Sequence, residues 1–522
     1  MLGNYFTSGL CKRILIILVF TRQGKRNIVK SIIPLWKKMK RRNFIINVAG
    51  LGLVTLVDNF KLMGQAIPYS ANYEIEQFEN KGLAHFSYAV MAGKKIIIID
   101  PQRNTQIYYD FAQENNATII GVIETHPHAD FISSHLEIHQ KLNVPIYASS
   151  LTKSEYPLKT FDEGNIIQLT DQVGLRAMYT PGHAPDHIAA VLYEGVNDRA
   201  VFSGDSLFLG DVGRPDLLDF SRESDKQRKY LAAMMYDTIH QKFAKLNDDV
   251  IVYPSHGAGS LCGKSIRKAA SSTIGYEKQN NYAFENRTKD EFVSLLLSDQ
   301  PFIPKYFAYD VHLNKKGAPV LKESLAKLNY LPKNYQPASR ALIVDTRPAA
   351  VFKNSYLPGA INIQGTGQLE TWLGTLVAPE SKFYLVAADQ ESLQAAIKKT
   401  ASIGYESNIQ GVFVYDASNG NQFLAFDNSS FDPKENKYTY IDVRTEKEVK
   451  QQPIFKNSIN IPMQEFTDRL SEIPKGKPLL VYCGSGYRSA MAASILKKVM
   501  PSIEVYDLGS AVTQYISAGG AR

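Results

Sequence analysis

Four stretches of this chain end a run of strand-forming residues in a turn that carries His or Asp. Residues 117–124 (ATIIGVIE) lead into Thr125-His126-Pro127-His128-Ala129-Asp130. Residues 175–179 lead into Thr180-Pro181-Gly182-His183. Residues 200–203 lead into Gly204-Asp205-Ser206, and residues 250–253 into Pro254-Ser255-His256-Gly257. Short apolar runs bounded by Gly and Pro turns read as strands. Loops held at the ends of strands are where chemistry usually sits. His126 and His128 flank one proline, so a tight loop can aim both rings at one point. Neutral imidazole and carboxylate are the ligand types suited to zinc or iron. One such His alone would be an ordinary loop or core residue; four strand ends carrying His or Asp point to a metal site. Further strand candidates are 144–148 and 188–192, and helical spacing covers 131–142 and 229–246.

The chain has 522 residues, too many for one hydrophobic core, and the prior is about three or four domains. Its 44% apolar and 21% charged content is that of a globular protein. No apolar run has the length of a spanning helix, so a polytopic membrane protein is excluded. The net charge of +8 is misleading. Residues 1–66 hold twelve Lys/Arg and one acidic residue, leaving 47 basic and 50 acidic residues in the rest. The body therefore has no bias toward phosphate backbones, and no nucleic-acid partner is expected.

Two apolar runs, 14–20 and 44–57, lie in that basic leader, the second after Lys37-Lys38-Met39-Lys40-Arg41-Arg42. Basic residues and then a short apolar stretch make a signal-peptide shape. Arg41-Arg42-Asn43-Phe44-Ile45 resembles a twin-arginine export signal, with Gly64-Gln65-Ala66 as a small-x-small cleavage site. The expectation is export to the periplasm, with no stable membrane span in the mature chain. The alternative is a basic tail on a cytoplasmic protein. Met39 is a natural alternative start.

Residues 301–335 read as a Pro-, Lys- and Asn-rich linker with room for one short helix. A duplication follows. Ile343-Val344-Asp345-Thr346-Arg347 is echoed by Tyr440-Ile441-Asp442-Val443-Arg444, and Ala360-Ile361-Asn362-Ile363 by Ser458-Ile459-Asn460-Ile461, at offsets of 97 and 98 residues. The domain reading is a leader (1–66), a metal domain (72–300), the linker, and two small α/β units (336–426 and 430–522).

In the last unit, Leu479-Leu480-Val481-Tyr482 delivers Cys483 to Gly484-Ser485-Gly486-Tyr487-Arg488, where a helix begins. Loop N–H groups, a helix N-terminus and Arg488 favour an anion at the loop centre. Such a cradle lowers a thiol pKa and makes a thiolate nucleophile. Gly484, Ser485, Gly486 and Tyr487 would line the substrate. The first unit has Ala387-Ala388-Asp389-Gln390 in the equivalent place and cannot form a persulfide. The three cysteines, Cys11, Cys262 and Cys483, are not spaced as a disulfide framework.

These residues carry two resemblances. His126-Pro127-His128-Ala129-Asp130, His183, Asp205 and His256 resemble the metallo-β-lactamase superfamily. Asp442-Val443-Arg444, Asn460-Ile461-Pro462 and the C-x-x-G-x-R-S loop at Cys483 resemble the rhodanese sulfurtransferases. Four residues separate Cys483 from Arg488, against five in the related phosphatases, which favours sulfur over phosphate. The implied fold class is α/β: an αββα sandwich followed by two rhodanese-like domains with parallel sheets, the first inactive. The superfamily's common H-x-H-x-D-H pattern is broken, because Phe131 stands at the last position. Phe131 cannot ligate, so one metal is expected. Asp130 and His256 are then outer partners or the remnant of a second site.

Gly210-Asp211-Val212-Gly213-Arg214-Pro215-Asp216-Leu217, and Gly257-Ala258-Gly259-Ser260-Leu261-Cys262-Gly263, resemble signatures of the persulfide dioxygenases. That resemblance implies one Fe(II) held by His126, His183 and Asp205, with His128 a weaker candidate and Zn the alternative metal. It implies oxidation of a low-molecular-weight persulfide by O₂ to sulfite, in sulfide detoxification, with thiosulfate as a product if sulfite accepts sulfur from Cys483. Arg214 either binds a carboxylate of the thiol carrier or pairs with Asp216. Cys262 either faces the cleft and handles sulfur or is a small buried residue. A zinc thioester hydrolase of the glyoxalase II type is the alternative, and a sulfur carrier with a vestigial metal domain the third reading. A homo-oligomer is expected.

Overall fold

Residues 95–99 are Lys-Ile-Ile-Ile-Ile, and a strand places successive side chains on opposite faces. Lys95–Ile99 accordingly serves two cores. Ile97 and Ile99 join a core shared with a second sheet, whereas Ile96 and Ile98 pack under helices. The structure, a computed structural model, describes residues 72–217, 224–433 and 435–517. The proposed export signal, its cleavage site, Met39 and Cys11 lie outside the described residues.

The first sheet has six strands, in the order Tyr73–Asn80, His85–Ala92, Lys95–Ile99, Thr118–Ile123, Ile146–Ala148, Lys159–Thr160. The second also has six, running Ser272–Thr273, Ile251–Pro254, Asn197–Gly204, Ile188–Glu194, Val173–Tyr179, Ile166–Gln168. Tyr88, Val90 and Ile123 of the first sheet meet Leu175, Leu192, Phe202 and Tyr253 of the second in one dry core. Helices Gln106–Glu114 and His135–Leu142 cover the outer face of the first sheet. Helices Ser224–Gln241 and Lys289–Leu297 cover that of the second. The result is an αββα sandwich.

Two departures from the sequence reading have local causes. Helical spacing starts at residue 131, but the helix begins at His135. The backbone before it is engaged elsewhere: Ile132 N donates to Ser402 O (2.8 Å) and Ser133 N to Asn314 Oδ1 (2.9 Å). The segment read as a linker holds two helices, Phe307–Lys316 and Leu321–Ala326, and Phe307 is buried in the main core.

The duplicated units share one topology. Each has a four-stranded parallel sheet with its first strand second in order. The sheets run Ala360–Asn362, Ile343–Asp345, Phe383–Ala387, Ile409–Val414, and Ile459–Asn460, Thr439–Asp442, Leu479–Tyr482, Val505–Asp507. The echoed residues do the same work twice. Arg347 makes a forked pair with Asp345 (2.6–3.0 Å) and Arg444 one with Asp442 (2.7–3.1 Å). Asn362 Nδ2 donates to the carbonyls of Asp345 and Arg347, and Asn460 Nδ2 to those of Asp442 and Arg444.

Both Asp442 and Arg444 are buried. Asp442→Ala strands the guanidinium and is expected to destabilise the last unit by about 3–5 kcal/mol. Equilibrium urea unfolding followed at the tyrosines of that unit checks this, and an unchanged midpoint would contradict it.

Candidate metal centre

Each donor arrives on its own strand end. His126 and His128 follow Thr118–Ile123, with ring centroids 4.2 Å apart. Thr125 Oγ1 donates to Asp100 Oδ2 (2.9 Å), so at 3.1 Å it accepts from His126 Nδ1. That fixes the tautomer and leaves His126 Nε2 bare. His183 follows Val173–Tyr179, and its Nδ1 donates to the Arg214 carbonyl (2.7 Å). Its Nε2 then faces Asp205 Oδ2 at 3.6 Å. Such outer partners commonly orient metal-binding imidazoles.

Asp205 follows Asn197–Gly204. Gly204 has φ +55, and a Cβ there would collide with His187 Nε2. His187 uses that closeness: its Nε2 accepts from Asp205 N (3.0 Å) and its Nδ1 donates to Thr180 Oγ1 (2.8 Å). His187 thus ties the Asp205 turn to the His183 turn.

Asp205 Oδ2 stands 3.9 Å from His126 Nε2, 3.6 Å from His183 Nε2 and 3.5 Å from His256 Nε2. His126 Nε2, both Asp205 oxygens and His256 Nδ1 are buried without a hydrogen-bond partner. Unpartnered buried polar atoms are costly, and a carboxylate ringed by bare imidazole nitrogens fits a cation. His126, His128 and Asp205 offer ligand atoms all within 4.8 Å of one another, as do His128, Asp130 and His256, and Asp205, His256 and Cys262. His183 reaches Asp205 but stands outside those three sets.

Burial, then the imidazoles of His128, His183 and His187, hold His126 well below the usual His range. A neutral ring is the ligating form. His128 differs. Burial opposes its charge, but Asp100, 3.3 Å from its Nε2, outweighs burial and raises its pKa. Asp100 also accepts from Thr125 N and Ser255 Oγ (2.8 and 2.7 Å), so it pins the first and last donor loops together. His128 is therefore turned to an anchoring carboxylate. His256 Nε2 pairs with Asp130 Oδ1 at 3.3 Å. Burial disfavours charge on His256, but Asp130 and then Asp205 outweigh it and raise its pKa well above the ordinary value.

Phe131 is buried, and His85 stacks on it with centroids 3.7 Å apart and planes at 27°. His85 was not singled out in the sequence. Its ring lies 5.8 Å from that of His128 and 5.6 Å from that of His256, with both nitrogens unpartnered. Backbone pairing delivers it: Phe86 N donates to Ser255 O and Gly257 N to Ala84 O. No local motif marks such a residue.

Two residues expected at a substrate make structural contacts. Arg214 is buried, forked onto Asp216 (2.6 and 2.8 Å), and donates to Pro301 O (2.6 Å). Its guanidinium holds loops rather than reaching for a carrier carboxylate. Tyr487 OH donates to Gln364 O (3.2 Å) and its ring lies against Gly367, so it bridges the two duplicated units. Cys262 is buried beside Asp205 and His256. Burial, then Asp130 and Asp205, push its thiol pKa up.

Cys483 ends Leu479–Tyr482 and is also buried. Gly486 N donates to its Sγ (3.1 Å), and the Ser489 hydroxyl lies 3.7 Å away. Gly486, at φ +98, starts helix Tyr487–Val499. Gly484 and Ser485 complete the loop. Arg488 is forked onto Glu448 (2.7 and 2.6 Å), with its Nη2 beside Gly484 of the loop. In the first unit Asp389 caps helix Gln390–Ser402 through Ser392, where the second unit builds its loop.

The metallo-β-lactamase superfamily pattern matches residues 80–256, and the rhodanese-like domain pattern residues 432–515. A hydroxyacylglutathione hydrolase of Francisella tularensis subsp. novicida is 30% identical over 34% of this chain, and the chain spans 65% of that relative's length. Among solved structures, a metallo-β-lactamase from Staphylococcus aureus is 31% identical, with 66% of this chain and 99% of that one covered at a TM-score of 0.59. ETHE1 from Myxococcus xanthus is 21% identical, covering 46% and 98% at a TM-score of 0.40. The four donor-bearing strand ends, the αββα layers and the 31% identity across almost the whole staphylococcal chain place this protein in the metallo-β-lactamase superfamily, with a rhodanese-like domain following.

Proposed function

We propose that His126, His183 and Asp205 hold one ferrous ion and that the centre oxidises a low-molecular-weight thiol persulfide. The balanced reaction is RSSH + O₂ + H₂O → RSH + SO₃²⁻ + 2H⁺. The observation that carries this reading is Phe131. An apolar ring, stacked on His85, occupies the sixth position of the H-x-H-x-D-H pattern, where the superfamily has its fourth donor. This favours a single-metal centre over the paired metals of a hydrolase. Iron, when bound, supplies the one-electron chemistry that zinc lacks.

The chain's own residues set the conditions. The Arg214 carbonyl and Thr125 hydroxyl fix the imidazoles of His183 and His126. Phe131 and Phe208 are buried with their rings 6.4 and 6.1 Å from that of His256, and give the site an apolar wall. In the last unit the Gly486 N–H stabilises a thiolate or persulfide sulfur on Cys483. Transfer to sulfite then balances as Cys–S–S⁻ + SO₃²⁻ → Cys–S⁻ + S₂O₃²⁻. Covalent linkage of the two units raises the local concentration of the shared intermediate.

The hydroxyacylglutathione hydrolases at 30% identity favour a second reading, hydrolysis of a glutathione thioester by zinc. It assigns no task to Cys483.

His183→Ala is expected to abolish persulfide-dependent oxygen uptake, while Cys483→Ala retains it and loses sulfur transfer to sulfite. Oxygen uptake that survives His183→Ala would overturn the assignment. Phe131→His restores the donor pattern and is expected to raise bound metal from about one toward about two ions per chain. Elemental analysis of dialysed protein checks it, and unchanged stoichiometry would contradict the role given to Phe131.

A further inference from the structure

The first duplicated unit has no cysteine at its loop, yet it touches the metal loop directly. Ile132 N donates to the carbonyl of Ser402, the last residue of helix Gln390–Ser402 (2.8 Å). Gly404 makes the approach possible. It adopts φ +68, and a Cβ there would press within 2.9 Å of Leu313 Cδ2 and 3.1 Å of Ile132 Cγ1. Tyr309 OH donates to the Gly404 carbonyl (3.2 Å). Nearby, Arg103 of the sandwich and Glu406 of the unit form a buried pair at 2.7 Å.

The helix Phe307–Lys316 lies between the two. Asn314 is 1% exposed and uses its whole amide on the same loop. Its Nδ2 donates to the carbonyls of His128 and Phe131, both at 2.8 Å, and its Oδ1 accepts from Ser133 N at 2.9 Å. Tyr306 OH donates to the Asp130 carbonyl (3.1 Å). The carbonyls of His128, Asp130 and Phe131 and the N–H groups of Ile132 and Ser133 are thus all satisfied from outside the sandwich. Buried backbone groups must be paired, so this loop takes its observed path only against that surface.

We propose that the cysteine-less unit, acting through Asn314, is a positioning element for the metal loop, and that full metal affinity requires it to be docked. The unit needs no sulfur chemistry for this task. The proposal holds for either reading of the reaction, because it concerns only the path of residues 128–133. Asn314 touches no metal donor atom and acts through the loop backbone.

The test uses the full chain, stripped of metal and titrated with cobalt(II). Partners that orient metal ligands typically change affinity about 10- to 100-fold when removed. Asn314→Ala is expected to weaken cobalt binding by about 10-fold or more and to shift the visible ligand-field bands, with the far-UV circular dichroism unchanged. A folded Asn314→Ala chain with parental affinity and bands would overturn the proposal. If Asn314→Ala does not fold, Glu406→Gln carries the test. It loosens docking away from the loop, and the same loss of cobalt affinity supports the proposal while parental affinity overturns it.

Discussion

The Asp205 carboxylate governs the organisation of the sandwich edge. It is buried, neither oxygen has a hydrogen-bond partner, and three imidazole nitrogens stand 3.5–3.9 Å from one of them. A buried anion in such a place is tolerable only beside positive charge. The surrounding hydrogen bonds all serve to keep it there. His187 holds the Asp205 amide, the Arg214 carbonyl holds His183, and Asp100 ties the loop of His126 to that of His256. Metal affinity is therefore built into the folded backbone.

The second half of the chain depends on a repeated constraint of a different kind. Each unit turns an Asp–x–Arg pair inward and caps it with an Asn from the next strand. That framework is kept in both copies, while the cysteine loop is kept in one. The frame and the cysteine loop are separable, and the copy without the cysteine packs on the loop after His128. One continuous apolar core runs from Phe131, Phe208 and Cys262 through Tyr306 and Trp372 to Cys483 and Met491. The two sites belong to one packed body.

The cluster of His and Asp side chains was legible in the sequence because residues on strand ends leave a local mark: an H-x-H around a proline, or a His or Asp just after an apolar run. The duplication was legible because its frame residues recur at a fixed offset. What escaped depends on distant pairing. His85 reaches the site only because the strand it begins pairs with the His256 turn. Asn314 reaches the loop from more than 180 residues away. The helix near His135 starts late because its first turn is bonded to that distant surface. Arg214 read equally well as a substrate group or a structural pair, and its burial against Asp216 favours the pair.

The proposed reaction is oxidation of a persulfide at a single iron. The most direct measurement gives the iron-loaded full chain glutathione persulfide under air and, separately, S-lactoylglutathione, and follows oxygen, sulfite and thioester. The expected result is one O₂ consumed for each sulfite or thiosulfate formed, with no thioester cleavage. Thioester cleavage without oxygen uptake would contradict it.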